Sequence, residues 1–234
     1  MCNKRLTVVV LATVFLGVAG LRRAEASFHT WDINEIYSNA DGTIQFIEMK
    51  ETAGFNSQHL LSGHSFTTTA NTFNFSNLPN NQTANKFFLM ATSGFAVLVG
   101  APVPDYVIPD GFFSVTGDTL NFAGGFDIVT FGPGDLPGCV KFSMNDNLTV
   151  GLNSPRNFAG SSTTLFSTLP AGDLDDDCGV DMSDVILLAG EWLLGGPPGD
   201  LNGDGSVNLL DLALLAGNWL LDCELTPAAS GCLP

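Results

Sequence analysis

The chain is poor in basic residues. It has eight Lys or Arg against 24 Asp or Glu among 234 residues, and no Lys or Arg follows Arg156. The net charge of −16 disfavours binding to nucleic acids and to anionic membrane surfaces. Twelve of the acids lie between Asp173 and Glu224, where no basic side chain offsets their repulsion. We therefore expect this region to attract an external cation, and we expect no nucleic-acid partner.

Recognisable catalytic motifs are also absent. The sequence contains no G-x-S-x-G, H-E-x-x-H, P-loop or G-x-G-x-x-G pattern. Acid pairs such as Glu48 with Glu51, or Asp105 with Asp110, have the side chains that glycoside hydrolysis needs, but no feature indicates a sugar cleft. We predict a protein that is not an enzyme, with no catalytic residues. An enzyme or accessory protein of extracellular polysaccharide degradation is the alternative.

One long apolar run is present, and it lies at the N-terminus. Lys4 and Arg5 precede the apolar residues 7–21, and the sequence AEA at residues 24–26 fits the cleavage site of a secretion signal. The run is shorter than the roughly 20 residues that a membrane span requires. We interpret residues 1–26 as a signal peptide and expect no membrane span in the mature chain. Retention of this segment as an anchor is the alternative.

Cysteines are few. Cys2 belongs to the predicted signal peptide, which leaves Cys139, Cys178, Cys223 and Cys232 for pairing in an oxidising compartment. We favour a disulfide between Cys178 and Cys223, because these residues bracket the acidic region. Cys139 is then left to pair with Cys232. Free or intermolecular thiols are the alternative.

Residues 28–166 have the pattern of an all-β domain. TIQFIEMK at residues 43–50 alternates with a period of two after the turn NADG, which is typical of a hairpin. Apolar runs separated by turn residues follow at intervals of about ten residues. These runs are KFFLMAT, FAVLVG, DYVIP, FFSVTG, TLNFAG and DIVTFG. Their spacing predicts a β-sandwich or a β-barrel.

Several motifs of this region resemble the lamin-tail-like domain of bacterial secreted proteins. The matching segments are WDINEIYSNADGTIQFIEMKE, LLSGHSFTTT, KFFLMATSGFA and GDTLNFAGGFDIVTFG. The resemblance implies an immunoglobulin-like β-sandwich that serves binding or structure outside the cell. Glu35 and Glu48 occupy the acidic positions of the family pattern. We expect their carboxylates to accept hydrogen bonds from backbone or hydroxyl groups at strand edges.

A short segment, LPAG, then separates the β region from a repeat. We predict a linker over residues 167–172, a small all-α module over residues 173–224 and a tail over residues 225–234. Within the module, DLDDDCGVDMSDVILLAGEWLL aligns without gaps with DLNGDGSVNLLDLALLAGNWLL, which begins 27 residues later. The predicted fold class is therefore mainly β, with a sandwich followed by two loop-helix units.

Each half of the repeat places oxygen atoms at the spacing of a calcium loop. Calcium takes six to eight oxygen ligands, and a 12-residue loop supplies them from positions 1, 3, 5, 7, 9 and 12. We therefore predict two bound Ca²⁺ ions. The ligands predicted in the first loop (residues 173–184) are Asp173, Asp175, Asp177, the Gly179 carbonyl, Asp181 and Asp184. Those predicted in the second loop (residues 200–211) are Asp200, Asn202, Asp204, the Ser206 carbonyl, Asn208 and Asp211.

The two loops differ at position 6, where the chain bends sharply. Gly205 suits this bend in the second loop, whereas the first loop has Cys178, whose Cβ is unfavourable there. A disulfide from Cys178 would hold the bend. Five carboxylates favour calcium affinity in the first loop, and the glycine favours it in the second. Without calcium, carboxylate repulsion and the small core predict a largely unfolded module.

These units resemble type I dockerin, a module that docks enzymes and surface proteins onto cohesin partners. LPAG precedes the first loop and LLGGPPG the second, so neither loop follows an amphipathic helix. The resemblance implies attachment of a bacterial secreted or cell-surface protein to a cohesin-like or other extracellular partner, itself at the cell surface or associated with polysaccharide. A structural calcium staple without a partner is the alternative.

The two predicted helices contain both the candidate partner-binding residues and the candidate core residues. The family's partner-reading positions fall on Met182, Ser183, Leu209 and Leu210, which are more apolar than the usual hydroxyl pairs. Leu188 shares a helical face with Trp192, as Leu215 does with Trp219, so the simplest interpretation is that both tryptophans form the small core. The remaining apolar side chains exceed what so small a module can bury, and part of them should meet a partner or the β domain.

Overall fold

The computed structural model describes residues 28–139, 141–165, 170–194 and 198–222. The predicted signal peptide, the predicted tail and part of the predicted linker lie outside the described residues. The described chain is mainly β, as predicted. No helix in these ranges is long and apolar enough to cross a bilayer.

Ten strands and three short helices form in the described ranges. In chain order the strands are β1 (Trp31–Ser38), β2 (Gln45–Glu51), β3 (Ser65–Thr67), β4 (Thr72–Asn74), β5 (Phe87–Ala91), β6 (Tyr106–Val107), β7 (Asp118–Phe122), β8 (Asp127–Phe131), β9 (Phe142–Met144) and β10 (Val150–Leu152). The helices are α1 (Ser93–Ala96), α2 (Met182–Gly190) and α3 (Leu209–Gly217). A six-stranded sheet has the order β10-β9-β1-β2-β5-β6, and a four-stranded sheet has the order β4-β3-β7-β8.

The predicted hairpin is formed by β1 and β2, which pair antiparallel with Ser38 opposite Gln45. Asp41 lies within the turn, and its carboxylate accepts a hydrogen bond from the backbone N–H of Thr43 at 2.9 Å. Gly42 follows with a φ of 76°, and a Cβ at this position would lie 3.1 Å from the Cα of Gly111. The turn therefore needs glycine both for its backbone conformation and for this close approach.

Four of the six predicted runs form strands, as β5, β6, β7 and β8. The prediction of strands at FAVLVG and FFSVTG is wrong. FAVLVG begins within α1, because the Thr92 hydroxyl caps the helix by accepting from the N–H of Phe95. In FFSVTG, the carboxylate of Asp118 accepts from the N–H of Ser114 at 2.9 Å and draws the segment into a turn. Local side-chain acceptors thus outweigh the strand preference of both runs.

The two sheets pack face to face through one apolar cluster, which is the arrangement of a β-sandwich. The six-stranded sheet contributes Ile36, Ile47 and Met90, and the four-stranded sheet contributes Phe66, Leu120 and Phe122. A second cluster covers the other face of the six-stranded sheet. It contains Tyr37, Phe46, Leu89, Phe95, Leu165, Cys139 and Cys178, with Leu221 packed against it. The first loop of the repeat is therefore part of the cover of the sheet.

Both predicted disulfide pairings are wrong. Cys139 is bonded to Cys178, with their Cα atoms 5.1 Å apart. This bond excludes the pairs Cys178–Cys223 and Cys139–Cys232, whose second members lie outside the described residues. The physical reason is the packing of the first loop on the six-stranded sheet, which brings Cys178 beside Cys139. Cys178 and Cys223 bracket the acidic region in the sequence, but this position does not indicate which surface the first loop packs against.

The helices α2 and α3 enclose a small apolar core of Val180, Leu188, Val207 and Leu215. The prediction that the two tryptophans form this core is wrong, because Trp192 is 37% exposed and Trp219 is 41% exposed. Each helix ends two residues before its tryptophan. The side chain therefore no longer projects from the helical face that carries the core leucine.

Reciprocal backbone hydrogen bonds join the two units. The segment after α2 pairs with the second loop, since Leu193 N–H donates to Val207 O at 2.9 Å and Val207 N–H donates to Leu194 O at 2.8 Å. The segment after α3 pairs with the first loop in the same way, through Val180 and the residues 220–221. Each loop is thus held by the end of a helix from the other unit.

Candidate metal centre

The first loop brings three of its predicted ligands together. Oxygen atoms of Asp173, Asp175 and Asp177 all lie within 4.8 Å of one another. Two ligands of one calcium ion, each at 2.3–2.6 Å from it, can be at most about 5 Å apart. The three carboxylates are therefore close enough to share one ion of this kind.

The carboxylate at position 1 organises both loops through the same two hydrogen bonds. In the first loop, Asp173 accepts from the N–H groups of Asp177 at 3.2 Å and Cys178 at 3.0 Å. In the second loop, Asp200 accepts from Asp204 at 3.0 Å and from Gly205 at 2.8 Å. These bonds tie position 1 to positions 5 and 6, so the loop curls around its first ligand.

Position 12 closes each loop from the first turn of a helix. Asp184 is buried and accepts from the N–H groups of Leu174 at 2.6 Å and Asp181 at 2.7 Å. Asp211 is buried as well and accepts from those of Asn202 at 3.1 Å and Asn208 at 2.8 Å. In both helices this arrangement is a capping box, whose N-cap is the residue at position 9.

The remaining predicted ligands have local partners. The carboxylate of Asp181 accepts from Ser183 N–H at 2.6 Å, and Gly179 N–H donates to Asp177 at 2.8 Å. In the second loop, Asn202 donates to Asp204 at 3.0 Å, and Asn208 donates to the Ser206 carbonyl at 2.9 Å. In the second loop, the carbonyl predicted at position 7 and the side chain predicted at position 9 are therefore in direct contact.

Electrostatics in the first loop favour a bound cation. Burial, followed by the charges of Asp177 and Asp184, raises the pKa of Asp173 to about 7. Burial and the neighbouring acids also raise the pKa values of Asp175 and Asp177. A divalent cation would remove this repulsion, and carboxylate oxygens are hard ligands of the kind that calcium prefers. The donor set therefore fits calcium.

Two bends in each loop lie in the left-handed backbone region. The second loop has glycine at both, Gly203 with a φ of 72° and Gly205 with a φ of 91°. The first loop has Asp176 with a φ of 62° and Cys178 with a φ of 72°. Asp tolerates this region moderately well, whereas Cys has no such tendency. The backbones of the two loops thus agree although their sequences differ.

All four residues at the predicted partner-reading positions are exposed. Met182 is 58% exposed, Leu209 is 69% exposed and Leu210 is 61% exposed, and Ser183 lies beside them on the surface. The same helices and the segments that follow them expose further large apolar side chains, namely Ile186, Leu187, Leu193, Leu194, Leu214 and Leu220. Within the described residues, these side chains are not covered by the β-sandwich.

The acids of the β-sandwich hold backbone groups. Glu35 accepts from Ser143 Oγ and from both the N–H and the hydroxyl of Ser154, and Glu48 accepts from Asn34 and from Arg156 N–H. The donors to Glu35 and the Arg156 N–H are of the backbone and hydroxyl types expected from the sequence, whereas the side-chain amide of Asn34 is not. The two glutamates, however, face each other on the central strands β1 and β2 instead of lying at a sheet edge.

The acid pairs considered for hydrolysis have similar structural partners. Glu51 accepts from the N–H groups of Ala53, Phe55 and Asn85. Asp105 accepts from those of Leu89 and Phe158, both within 2.9 Å. These carboxylates therefore fasten loops to the sheet.

Comparisons with known proteins add no relative. No family model, no curated protein and no solved structure matches the chain. The assignment of function therefore rests on the residues and their geometry.

The sequence did not indicate that Cys139 lies beside the candidate metal centre. This cysteine lies 39 residues before Cys178, in the β-sandwich region, and no spacing rule relates it to a calcium loop.

The burial of Val180 and Val207 could have been predicted from the sequence, because the repeat has valine at position 8 in both units. An apolar residue in the middle of an acidic loop indicates a buried position.

Proposed function

We propose that this protein is a secreted, non-catalytic β-sandwich that carries a paired calcium-binding module for attachment to an extracellular protein. The observation that supports it most directly is the agreement between the two loops. Both use an aspartate at position 1 to hold positions 5 and 6, and both close on a buried aspartate at position 12. Chance similarity of two acidic surface loops does not account for this shared network.

The ligands in this proposal are those predicted from the loop spacing. Positions 1, 3, 5, 9 and 12 supply side-chain oxygens, and position 7 supplies a carbonyl. Calcium would neutralise the repulsion among the acids and would stabilise the folded module, because the unfolded chain has no preformed site. Extracellular calcium is abundant enough even for sites with dissociation constants of ~10⁻⁴ to 10⁻³ M.

Attachment to a partner is supported by the exposed apolar side chains of α2 and α3. Contiguous apolar surface on a small module is typical of a protein interface. The acidic surroundings favour a partner whose apolar surface is rimmed by basic residues. The dockerin-like motifs favour a cohesin-type partner. For residues 28–166 we propose a lamin-tail-like domain, on the motifs that resemble that family.

Calcium titration of the full chain tests the proposal. We expect wild-type protein to bind two Ca²⁺ ions by isothermal titration calorimetry, with a gain of helical signal at 222 nm by circular dichroism. Asp200→Ala should lose at least one ion, since position 1 holds the whole second loop. Asp146→Ala removes an exposed acid of the β9–β10 turn and should still bind two ions.

Two results would contradict the proposal. The first is an absence of calcium binding at millimolar calcium in a protein whose β-sandwich is folded. The second is an equal loss of binding in Asp146→Ala and Asp200→Ala, which would indicate nonspecific attraction to the acidic surface.

A further inference from the structure

Cys178 occupies a bend that disfavours it. Its φ of 72° lies in the left-handed region, where a residue with a Cβ is destabilised. Gly205 occupies the equivalent bend of the second loop, with a φ of 91°, and has no such restriction. The first loop therefore needs another source of constraint at this position.

The bend at Cys178 directly positions a predicted calcium ligand. The N–H of Cys178 donates to the carboxylate of Asp173 at 3.0 Å. The next N–H, from Gly179, donates to the carboxylate of Asp177 at 2.8 Å. If residue 178 left the left-handed region, the N–H groups of Cys178 and Gly179 would change their orientation relative to each other and could not both keep these acceptors.

The disulfide anchors this bend to the β-sandwich. Cys139 and Cys178 are both fully buried, in the cluster that also contains Phe46 and Phe95. Gly138 also lies close to the first loop, since a Cβ added at this position would lie 3.8 Å from the Cβ of Asp177. The anchoring point is therefore a packed part of the sheet cover.

We propose that Cys139 is a positioning residue of the first calcium site. Its disulfide holds Cys178 in the bend that glycine adopts unaided in the second loop. The inference rests on the calcium binding proposed above. It has two consequences. Loss of the disulfide weakens calcium binding in the first loop but not in the second, and calcium protects the disulfide from reduction, because the coupling of two equilibria is reciprocal.

The redox step is an ordinary exchange with a dithiol such as dithiothreitol. The dithiol is oxidised to its own cyclic disulfide and supplies two electrons and two protons. The Sγ–Sγ bond between Cys139 and Cys178 breaks, and two thiols form.

Site-resolved calcium titrations of the full chain test the first consequence. The amide signals of Gly179 and Gly205 report on the first and second loops in nitrogen-15 NMR spectra. In Cys139→Ser/Cys178→Ser we expect the dissociation constant at Gly179 to rise about tenfold, equivalent to about 1.4 kcal/mol. The constant at Gly205 should change by less than twofold.

A matched variant separates the bend from the mere presence of a cross-link. Cys139→Ser/Cys178→Gly lacks the disulfide but has glycine at the bend, so its first loop should regain near wild-type affinity. Failure of this variant to regain affinity would overturn the proposal, as would unchanged affinity in Cys139→Ser/Cys178→Ser. An absence of calcium binding at both glycines of the wild type would instead overturn the proposed function.

Reduction of the wild-type disulfide tests the second consequence. The fraction of Cys139–Cys178 reduced at fixed dithiothreitol can be measured by thiol alkylation and mass spectrometry. We expect the equilibrium constant for reduction to fall about tenfold in saturating calcium, matching the change in calcium affinity. Equal reduction with calcium and with chelator would contradict the proposal.

Discussion

Glu48 shows how a single buried acid makes the sandwich sensitive to pH. Its side chain is fully buried opposite Glu35 on the neighbouring strand. Burial, followed by the charge of Glu35, raises the pKa of Glu48 from 4.5 to about 8. The folded chain therefore holds this proton more tightly than the unfolded chain does. The resulting stability is complete below pH 4.5 and is lost as the pH rises through 8.

Glu48→Gln removes this titration. We expect the unfolding free energy of the wild type to fall relative to the variant between pH 5 and pH 8.5, by on the order of a few kcal/mol. Denaturant unfolding at several pH values, with the same calcium concentration for both proteins, measures the difference. Parallel curves for the two proteins would show that Glu48 does not titrate in this range.

Glu51→Gln is the contrasting control. Burial raises the pKa of Glu51, but the backbone donors Asn85, Phe55 and Ala53 lower it overall. The stability that Glu51 contributes is present above its ordinary pKa and is lost as the pH falls. The wild type should therefore be more stable than Glu51→Gln at neutral pH, and this difference in unfolding free energy should shrink as the pH falls below about 4.5.

At the scale of elements, the repeat is held by contacts between segments that are distant in sequence. Gly172, directly before the first loop, has a φ of 107°, and a Cβ there would lie 2.9 Å from the Cα of Leu215 in α3. The neighbouring Ala171 carbonyl accepts from the side chain of Asn218 at 2.6 Å. The end of the predicted linker is thus packed against the second helix of the repeat.

Gly172→Ala should destabilise the module by about 1–3 kcal/mol, because it combines backbone strain with a steric clash. Gly217→Ala is the matched control at the end of α3, where a Cβ meets no atom within 4 Å. It should be neutral or stabilising by up to about 1 kcal/mol, since alanine favours helix. Thermal unfolding in calcium, followed at 222 nm, compares the two. Equal melting temperatures would mean that α3 does not pack on this segment.

At the scale of the whole molecule, charge and exposed apolar surface lie in the same region. The chain has a net charge of −16, and no basic residue follows Arg156. The exposed leucines of α2 and α3 therefore belong to a region whose charged side chains are all acidic. A partner that covers them would need basic residues around an apolar surface, and its binding should weaken as salt is raised.

Capture from the secreted proteins of the source organism tests this docking surface. We expect capture by the immobilised full chain to require calcium and to weaken at least tenfold in Met182→Glu/Leu209→Glu, which alters the same position in both units. Val103→Glu alters a side chain of the β-sandwich that is 75% exposed and should capture normally. Capture that persists in chelator, or in the double variant, would favour a structural staple without a docking role.

Prediction of strands from the sequence succeeded where alternation and turn residues agree. The hairpin between β1 and β2 depends on alternation and on the turn NADG, and both are visible in the chain. It failed at FAVLVG, where the hydroxyl of Thr92 caps a helix against the strand preference of the run. Prediction of the small core failed at Trp192 and Trp219, because each helix ends two residues before its tryptophan and helical periodicity no longer applies there.

The sequence by itself determined the spacing of the acidic loops and their duplication, since both are properties of neighbouring residues. Only the tertiary structure decided the partner of Cys178, because the pairing depends on the first loop packing against the six-stranded sheet. The tertiary structure also decided which leucines on α2 and α3 are exposed. Hydrophobicity states which side chains gain from burial, but the available neighbours determine which of them are buried.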